Sequence, residues 1–199
     1  MKGKGAKEEE SAIVQDGDPV LRAQAQSVKN EDFGSKKLHT ILAEMTRALE
    51  HEPDGVAIAA PQIGVPLRIF IVAKSAFAIP DRPNAKKEST EVPKKTAPKE
   101  HMVAINPEII KLSKKKKKVP EGCLSVRWLY GNTLRHEKAL LRAYDEHGKL
   151  FTYGGSGLIA QIFQHETDHL NGILFIDHAT DIEKLSPKEI EEITSQTKK

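Results

Sequence analysis

The longest periodic stretch of the chain runs from Ser35 to Glu52. Leu38, Ile41, Leu42, Met45 and Leu49 recur there at three- and four-residue spacing, which predicts an amphipathic helix on a core. Pro53-Asp54-Gly55 ends it. Upstream, the short apolar start Ile13-Val14-Gln15 leads into the turn Asp16-Gly17-Asp18-Pro19. Arg68 to Ala73 reads as a buried strand, and Met102 to Ile110 as another, interrupted at Asn106-Pro107. Lys138 to Tyr144, a turn at Asp145-Glu146-His147-Gly148 and a return over Leu150 to Tyr153 predict a hairpin. A second helix has its apolar face at Leu158, Ile159, Ile162 and Phe163, Ser156 as its cap and Asn171-Gly172 as its stop. A third begins at Ser186-Pro187-Lys188-Glu189, a capping box, with Ile190 and Ile193 as apolar contacts. The run Lys114 to Lys118 reads as a solvated hairpin tip. The sum predicts an α+β fold: mostly antiparallel sheets around a central helix, with an N-terminal and a C-terminal helix.

Length and composition narrow this picture. The 199 residues, 38% hydrophobic and 30% charged, suit one soluble domain with a core. The expected organisation is a disordered tail over 1–10, a single domain over 11–185 and a C-terminal helix and tail over 186–199. Within the domain, the Lys- and Pro-rich segment 74–101 reads as a loop insertion. No apolar run reaches membrane-spanning length and the N-terminus has no signal-peptide core, so the expected location is the cytoplasm, with no membrane partner. A net charge of +3 is too mild for nucleic acid as the main partner, and no specific DNA is expected. The single cysteine, Cys123, excludes an intrachain disulfide.

The candidate chemistry lies on the second helix. His165 and His169 are four residues apart, so a helix projects both imidazoles from one face, one turn apart. Glu166 follows the first histidine. H-E-x-x-H in this form is the sign of metal-assisted hydrolysis, with the carboxylate beside the metal's water rather than on the metal. A surface helix with two merely polar histidines has the same sequence. A catalytic site of this kind keeps three protein ligands and an open position. Cys123 is the candidate third: it follows a glycine, lies two residues after Glu121, and the chain offers no better donor, although a lone cysteine is also commonly a small buried apolar residue.

Three segments, Gly55 to Gln62, Glu121 to Ser125 and Gln164 to Leu170, resemble in order and spacing the three motifs of the peptide deformylase family. Ile13 to Gln15 with Asp18 to Arg22, and Gly172 to Asp177, are also similar to it; the resemblance spans roughly residues 12–182. It implies a catalytic metallohydrolase domain that removes the formyl group from N-formyl-methionyl nascent peptides and releases formate. It implies Cys123, His165 and His169 as ligands of one divalent metal, usually Fe2+, with Zn2+, Ni2+ or Co2+ able to take its place. It also implies Glu166 as general base, and the Gln62 amide and Leu124 N–H as stabilisers of the developing oxyanion.

Further family positions give Val56, Val119, Leu158 and Ile162 as methionine-pocket candidates. Gly55 to Ala57 becomes the edge on which the peptide adds as a strand, and Glu121, Arg135 and Asp168 support the ligands. Proximity to the ribosome exit tunnel, through the basic segments, is a further expectation. The chain departs from the family in having Ala57 for a usual glycine, Thr167 for a usual apolar residue and a long 74–101 insertion. Two other readings fit part of the pattern: an H-E-x-x-H metallopeptidase, whose third ligand ordinarily lies downstream of the helix, and a non-catalytic metal-containing module at the ribosome.

Overall fold

The computed structural model describes residues 13–52, 54–79 and 100–195. The expectations for the 1–10 tail, for Pro53, for most of the 74–101 insertion and for the Ile193 side chain fall outside the described residues. Within them, helix α1 spans Lys36–His51, with the Ser35 hydroxyl accepting from the Leu38 N–H at 3.2 Å. Its predicted stripe is buried, with Ala48 added. Five strands, β1 (Ala57–Ala59), β2 (Ile69–Val72), β3 (Met102–Leu112), β6 (Lys138–Tyr144) and β7 (Leu150–Ser156), form one sheet in the order β1-β2-β3-β6-β7. Strands β4 (Lys116–Gly122), β5 (Leu129–His136) and β8 (Thr180–Lys184) form a second, in the order β4-β5-β8. All pairings between these strands are antiparallel. With α2 (Gly157–Leu170) against the larger sheet and α3 (Pro187–Ser195) last, the fold is α+β.

The break at Asn106 is a bulge in a continuous strand. Asn106 has φ +49, and its amide bonds both the N–H and the C=O of Val28, each at 2.8 Å. Asparagine tolerates this backbone region, and the two bonds hold it there.

One expected element is different. Lys114 to Lys118 is not a hairpin tip: β3 pairs with β6 and β4 with β5, so the segment crosses between the sheets, and Lys116 to Lys118 already lie in β4. β4 is an edge strand, and lysines on an exposed edge discourage pairing with another chain.

Helix α2 is held from both ends. Ser156 occupies its N-cap position without a side-chain capping bond, and Gly154 and Gly155 belong to β7 rather than to a preceding loop. The Gln164 side chain imitates a strand: its oxygen accepts from His136 N–H at 2.9 Å and its nitrogen donates to His136 C=O at 3.0 Å. Phe163 is fully buried against Phe70 and Tyr153, a contribution of about 2–3 kcal/mol from transfer alone. At the C-terminus, Gly172 has φ +75 and its N–H reaches His169 C=O at 3.1 Å, while Ile173 N–H reaches Asp168 C=O at 2.9 Å.

A Cβ on Gly172 would sit 2.4 Å from the Arg22 carbonyl oxygen, on backbone that cannot give way cheaply. Gly172→Ala is therefore expected to lose about 2 kcal/mol or more of stability, read as a clearly lower melting temperature. Gly34→Ala, also at positive φ but with nothing within 4 Å, should lose only about 1 kcal/mol. Equal losses in the two variants would show that the Arg22 contact is unimportant.

Candidate metal centre

Two elements meet at the ligand cluster. Cys123 follows the last residue of β4, while His165 and His169 sit one turn apart on α2, their ring centroids 4.9 Å apart. One ligand atom from each of the three lies within 4.8 Å of the others, and Cys123 Sγ is 3.2 Å from His169 Nε2. Two donors on one tetrahedral ion at ordinary S and N bond lengths would stand about 3.3–3.6 Å apart. A thiolate and two imidazoles are also the right donor types for a divalent transition metal, so the residues fit one. His169 is buried, and the His165 side chain is 11% exposed. A cavity of about 300 Å³ opens on the cluster; Gln62, Cys123, Leu124, His165 and Glu166 line it.

The supporting charges form one chain. Arg135 grips Glu121 with both arms, Nε to Oε1 at 3.1 Å and Nη2 to Oε2 at 3.0 Å, and its Nη1 reaches Asp168 Oδ2 at 2.6 Å. Glu121 Oε1 lies 3.6 Å from His165 Nδ1, which leaves the other ring nitrogen for a ligand role. Gln161 adds a 3.4 Å bond to Glu121.

The ionisable groups feel opposing effects. Burial pushes the Glu121 carboxyl up, but bonding to His165 and then Arg135 outweighs it and holds the group at about 2. Burial drives Glu166 up to about 7, with His165 opposing and the Glu121 and Asp168 charges adding to the rise. His165 lies well above its ordinary value: burial lowers it, and bonds to Cys123 and Glu121 overcome that. His169 lies well below, through burial and then the neighbouring His165. Glu166 Oε2 is buried without a hydrogen-bond partner among the described residues. A carboxyl near neutrality, lining a cavity beside three metal donors, is suited to moving a proton.

Gln62 comes to the cluster from a short 3-10 turn after β1. Its oxygen accepts from Ala59 N–H at 2.8 Å, and its nitrogen points to Ser125 Oγ at 3.2 Å and Cys123 Sγ at 3.6 Å. The N-terminal segment ties the two sides together. Val14 N–H bonds Gln62 C=O at 2.9 Å, the Gln15 amide bonds Leu124 C=O at 3.0 Å, and Asp16 N–H bonds Ser125 C=O at 2.7 Å. Ser125 and Gln15 were not singled out from the sequence, because each acts through residues far along the chain. Of the pocket candidates, Gly55, Val56, Ala57, Leu158 and Ile162 line the cavity. Val119 does not; the lining on β4 begins one residue later, at Pro120, and continues through Glu121 and Gly122. Thr167 lies on α2 between Glu166 and Asp168, its hydroxyl buried without a partner among the described residues.

An H-E-x-x-H helix, a cysteine just past the end of a neighbouring strand and a carboxyl turned into a cavity are the parts of a metal-dependent hydrolase of the α+β class. The profile of the family described as Polypeptide deformylase matches residues 10–185. A peptide deformylase of Dehalococcoides mccartyi is 38% identical over 161 residues, 81% of each chain. One of Desulforudis audaxviator is 37% identical over 172 residues, 86% of this chain and 95% of that one. Among solved structures, an Acinetobacter baumannii class I type b peptide deformylase with Met-Ala-Ser bound superposes with a TM-score of 0.68, 30% identity and coverage of 83% of this chain and 97% of that one. The chain belongs to the peptide deformylase family. Its activity is hydrolysis of the N-formyl group from the N-terminal formyl-methionine of newly synthesised polypeptides, and it is metal-dependent as the family is. Nothing in these comparisons supports the peptidase or the non-catalytic reading.

Arg135→Ala leaves Glu121 buried without its partner. The variant is expected to lose about 3–5 kcal/mol of stability and to bind metal about 10–100-fold more weakly. Arg135→Lys should recover only part of each, because an ammonium cannot form the fork. Thermal unfolding and metal titration of the three proteins provide the check; unchanged metal affinity in Arg135→Ala would separate this network from the centre.

Proposed function

We propose that Cys123, His165 and His169 hold the catalytic metal and that Glu166, Gln62 and the Leu124 N–H carry out deformylation around it. The observation that carries this reading is the convergence of the three donors on one point beside a buried, cavity-facing Glu166. The bound metal supplies Lewis acidity, polarising the formyl oxygen and making water acidic enough to attack at neutral pH. Glu166 takes a proton from the attacking water as its oxygen adds to the formyl carbon. Charge that gathers on the formyl oxygen receives hydrogen bonds from Gln62 Nε2 and Leu124 N–H; Ser125 and Ala59 keep the Gln62 amide turned the right way. Glu166 then delivers the proton to the departing nitrogen, the C–N bond breaks, and formate and a free methionine amine leave.

The methionine side chain enters the cavity between Val56, Leu158 and Ile162. Its backbone adds along Gly55–Ala57, at the start of β1, which among the described residues is the edge of its sheet. The Met-Ala-Ser bound to the Acinetobacter relative supports a peptide beginning with methionine as the ligand. We infer Fe2+ as the resident metal, with Zn2+, Ni2+ or Co2+ accepted by the same donors. Residues 11–185 are the catalytic unit and 186–199 an appendage. The described residues contain no helix long and apolar enough to cross a membrane, which supports a cytoplasmic site of action. Lys114 to Lys118, mostly exposed, form the contact to the ribosome near the exit tunnel.

Incubation with formyl-Met-Ala-Ser is expected to release formate, with no cleavage of an internal peptide bond. Glu166→Ala should keep its metal and fold but lose turnover, and Gln62→Ala should lose about 10²–10³ in kcat. Turnover at the parent rate in Glu166→Ala would remove that residue from the proton path.

A further inference from the structure

The geometry points to Arg127 as a positioning residue that fixes the width of the substrate groove beyond the methionine pocket, and so selects small side chains two residues after the formyl-methionine. This rests on the substrate placement proposed above. The groove has two walls. Gly55 to Ala57, which lead into the edge strand β1, form one; residues of the chain from Gly122 to Tyr130 form the other, and both line the cavity. A single ion cluster spans them. Arg127 binds Asp54 with two arms, Nη1 to Oδ2 at 2.9 Å and Nη2 to Oδ1 at 3.2 Å, and pairs with the Glu52 carboxylate. Tyr130 Oη reaches Asp54 Oδ2 at 3.4 Å, and the guanidinium lies over the Trp128 ring, 4.4 Å from its centroid.

The tie is anchored on both sides. Glu52 is the C-terminal cap of α1, its N–H on Leu49 C=O. On the other wall, Trp128 C=O accepts from Leu185 N–H at 3.0 Å, and Leu129 is paired with Lys184 of β8. The Tyr130 ring packs on Gly122, where a Cβ would come within 2.5 Å of it, one residue from the proposed ligand Cys123. The side chains of Arg127, Glu52 and Asp54 are only 16%, 17% and 27% exposed, so the bridge is sheltered from solvent screening. It is not a set of loose surface pairs.

A peptide that adds to β1 and leaves the metal ligands behind passes Ala57, then Gly55, then Asp54. Side chains of a strand alternate, so the third residue faces the same side as the methionine and meets the bridge formed by Asp54, Arg127 and Tyr130. A short, sheltered bridge leaves room for a small side chain and excludes a large one.

The test compares formyl-Met-Ala-Ala with formyl-Met-Ala-Trp on the metal-loaded wild-type protein, Arg127→Ala and Arg127→Lys. The parent should favour the alanine peptide. Arg127→Ala should raise KM for that peptide about five- to tenfold and bring the Trp/Ala ratio of kcat/KM at least fivefold closer to one, with metal content unchanged and kcat changed less than KM. Arg127→Lys should fall between the two. Asp54→Asn, which keeps the shape of the acid but weakens the fork, gives the same direction if Arg127→Ala does not fold. An Arg127→Ala or Asp54→Asn protein with the parent's KM and the parent's third-residue ratio overturns the proposal. Failure of the parent to release formate from either peptide would instead overturn the substrate placement itself.

Discussion

Glu121, Arg135 and Asp168 are joined across three elements: the end of β4, the end of β5 and the ligand face of α2. Gln161 and Gln164 of the helix also bond this smaller sheet, at Pro120 and His136, through neutral amides. A buried ion network of this kind contributes little net stability against an apolar substitute, but breaking it is severe. Its value here is positional. The carboxylate that pairs with Arg135 also touches His165, so the network that docks the sheet on the helix also holds the ring of a proposed ligand.

The larger sheet supplies the other half of the site. β1 and the turn after it carry the substrate edge and Gln62, while the N-terminal segment threads between that turn and Leu124-Ser125. The proposed donors for the developing charge, Gln62 and Leu124, are therefore held by hydrogen bonds from a third stretch of chain. That arrangement costs no reorganisation during reaction, the condition under which oxyanion donors are most effective. The apolar body of α2, with Phe163 between Phe70 and Tyr153, fixes the depth of the histidine pair against this sheet.

Much of this was legible in the residues, for identifiable reasons. α1 and α2 have clean periodicity and strong end signals, and the hairpin of β6 and β7 has a turn between two apolar runs. The meeting of His165 and His169 was readable because four-residue spacing puts both on one helix face, whereas Cys123 was singled out by its donor chemistry and not by any spacing. The small sheet was not readable. β8 is exposed along its whole length and carries no alternating pattern, and β4 opens with three lysines that a local reading assigns to a loop. The misplacement of Val119 belongs to the same unrecognised strand. The bridge of Arg127 to Asp54 joins residues 73 positions apart and leaves no local trace.

The proposed chemistry depends above all on one sulfur and two nitrogens sharing an ion. X-ray absorption of the protein loaded with one equivalent of Zn2+ measures this directly. The expected first shell holds one sulfur at about 2.3 Å and two imidazole nitrogens at about 2.0–2.1 Å, and the sulfur disappears in Cys123→Ser. A shell of nitrogen and oxygen alone in the parent protein would contradict the assignment.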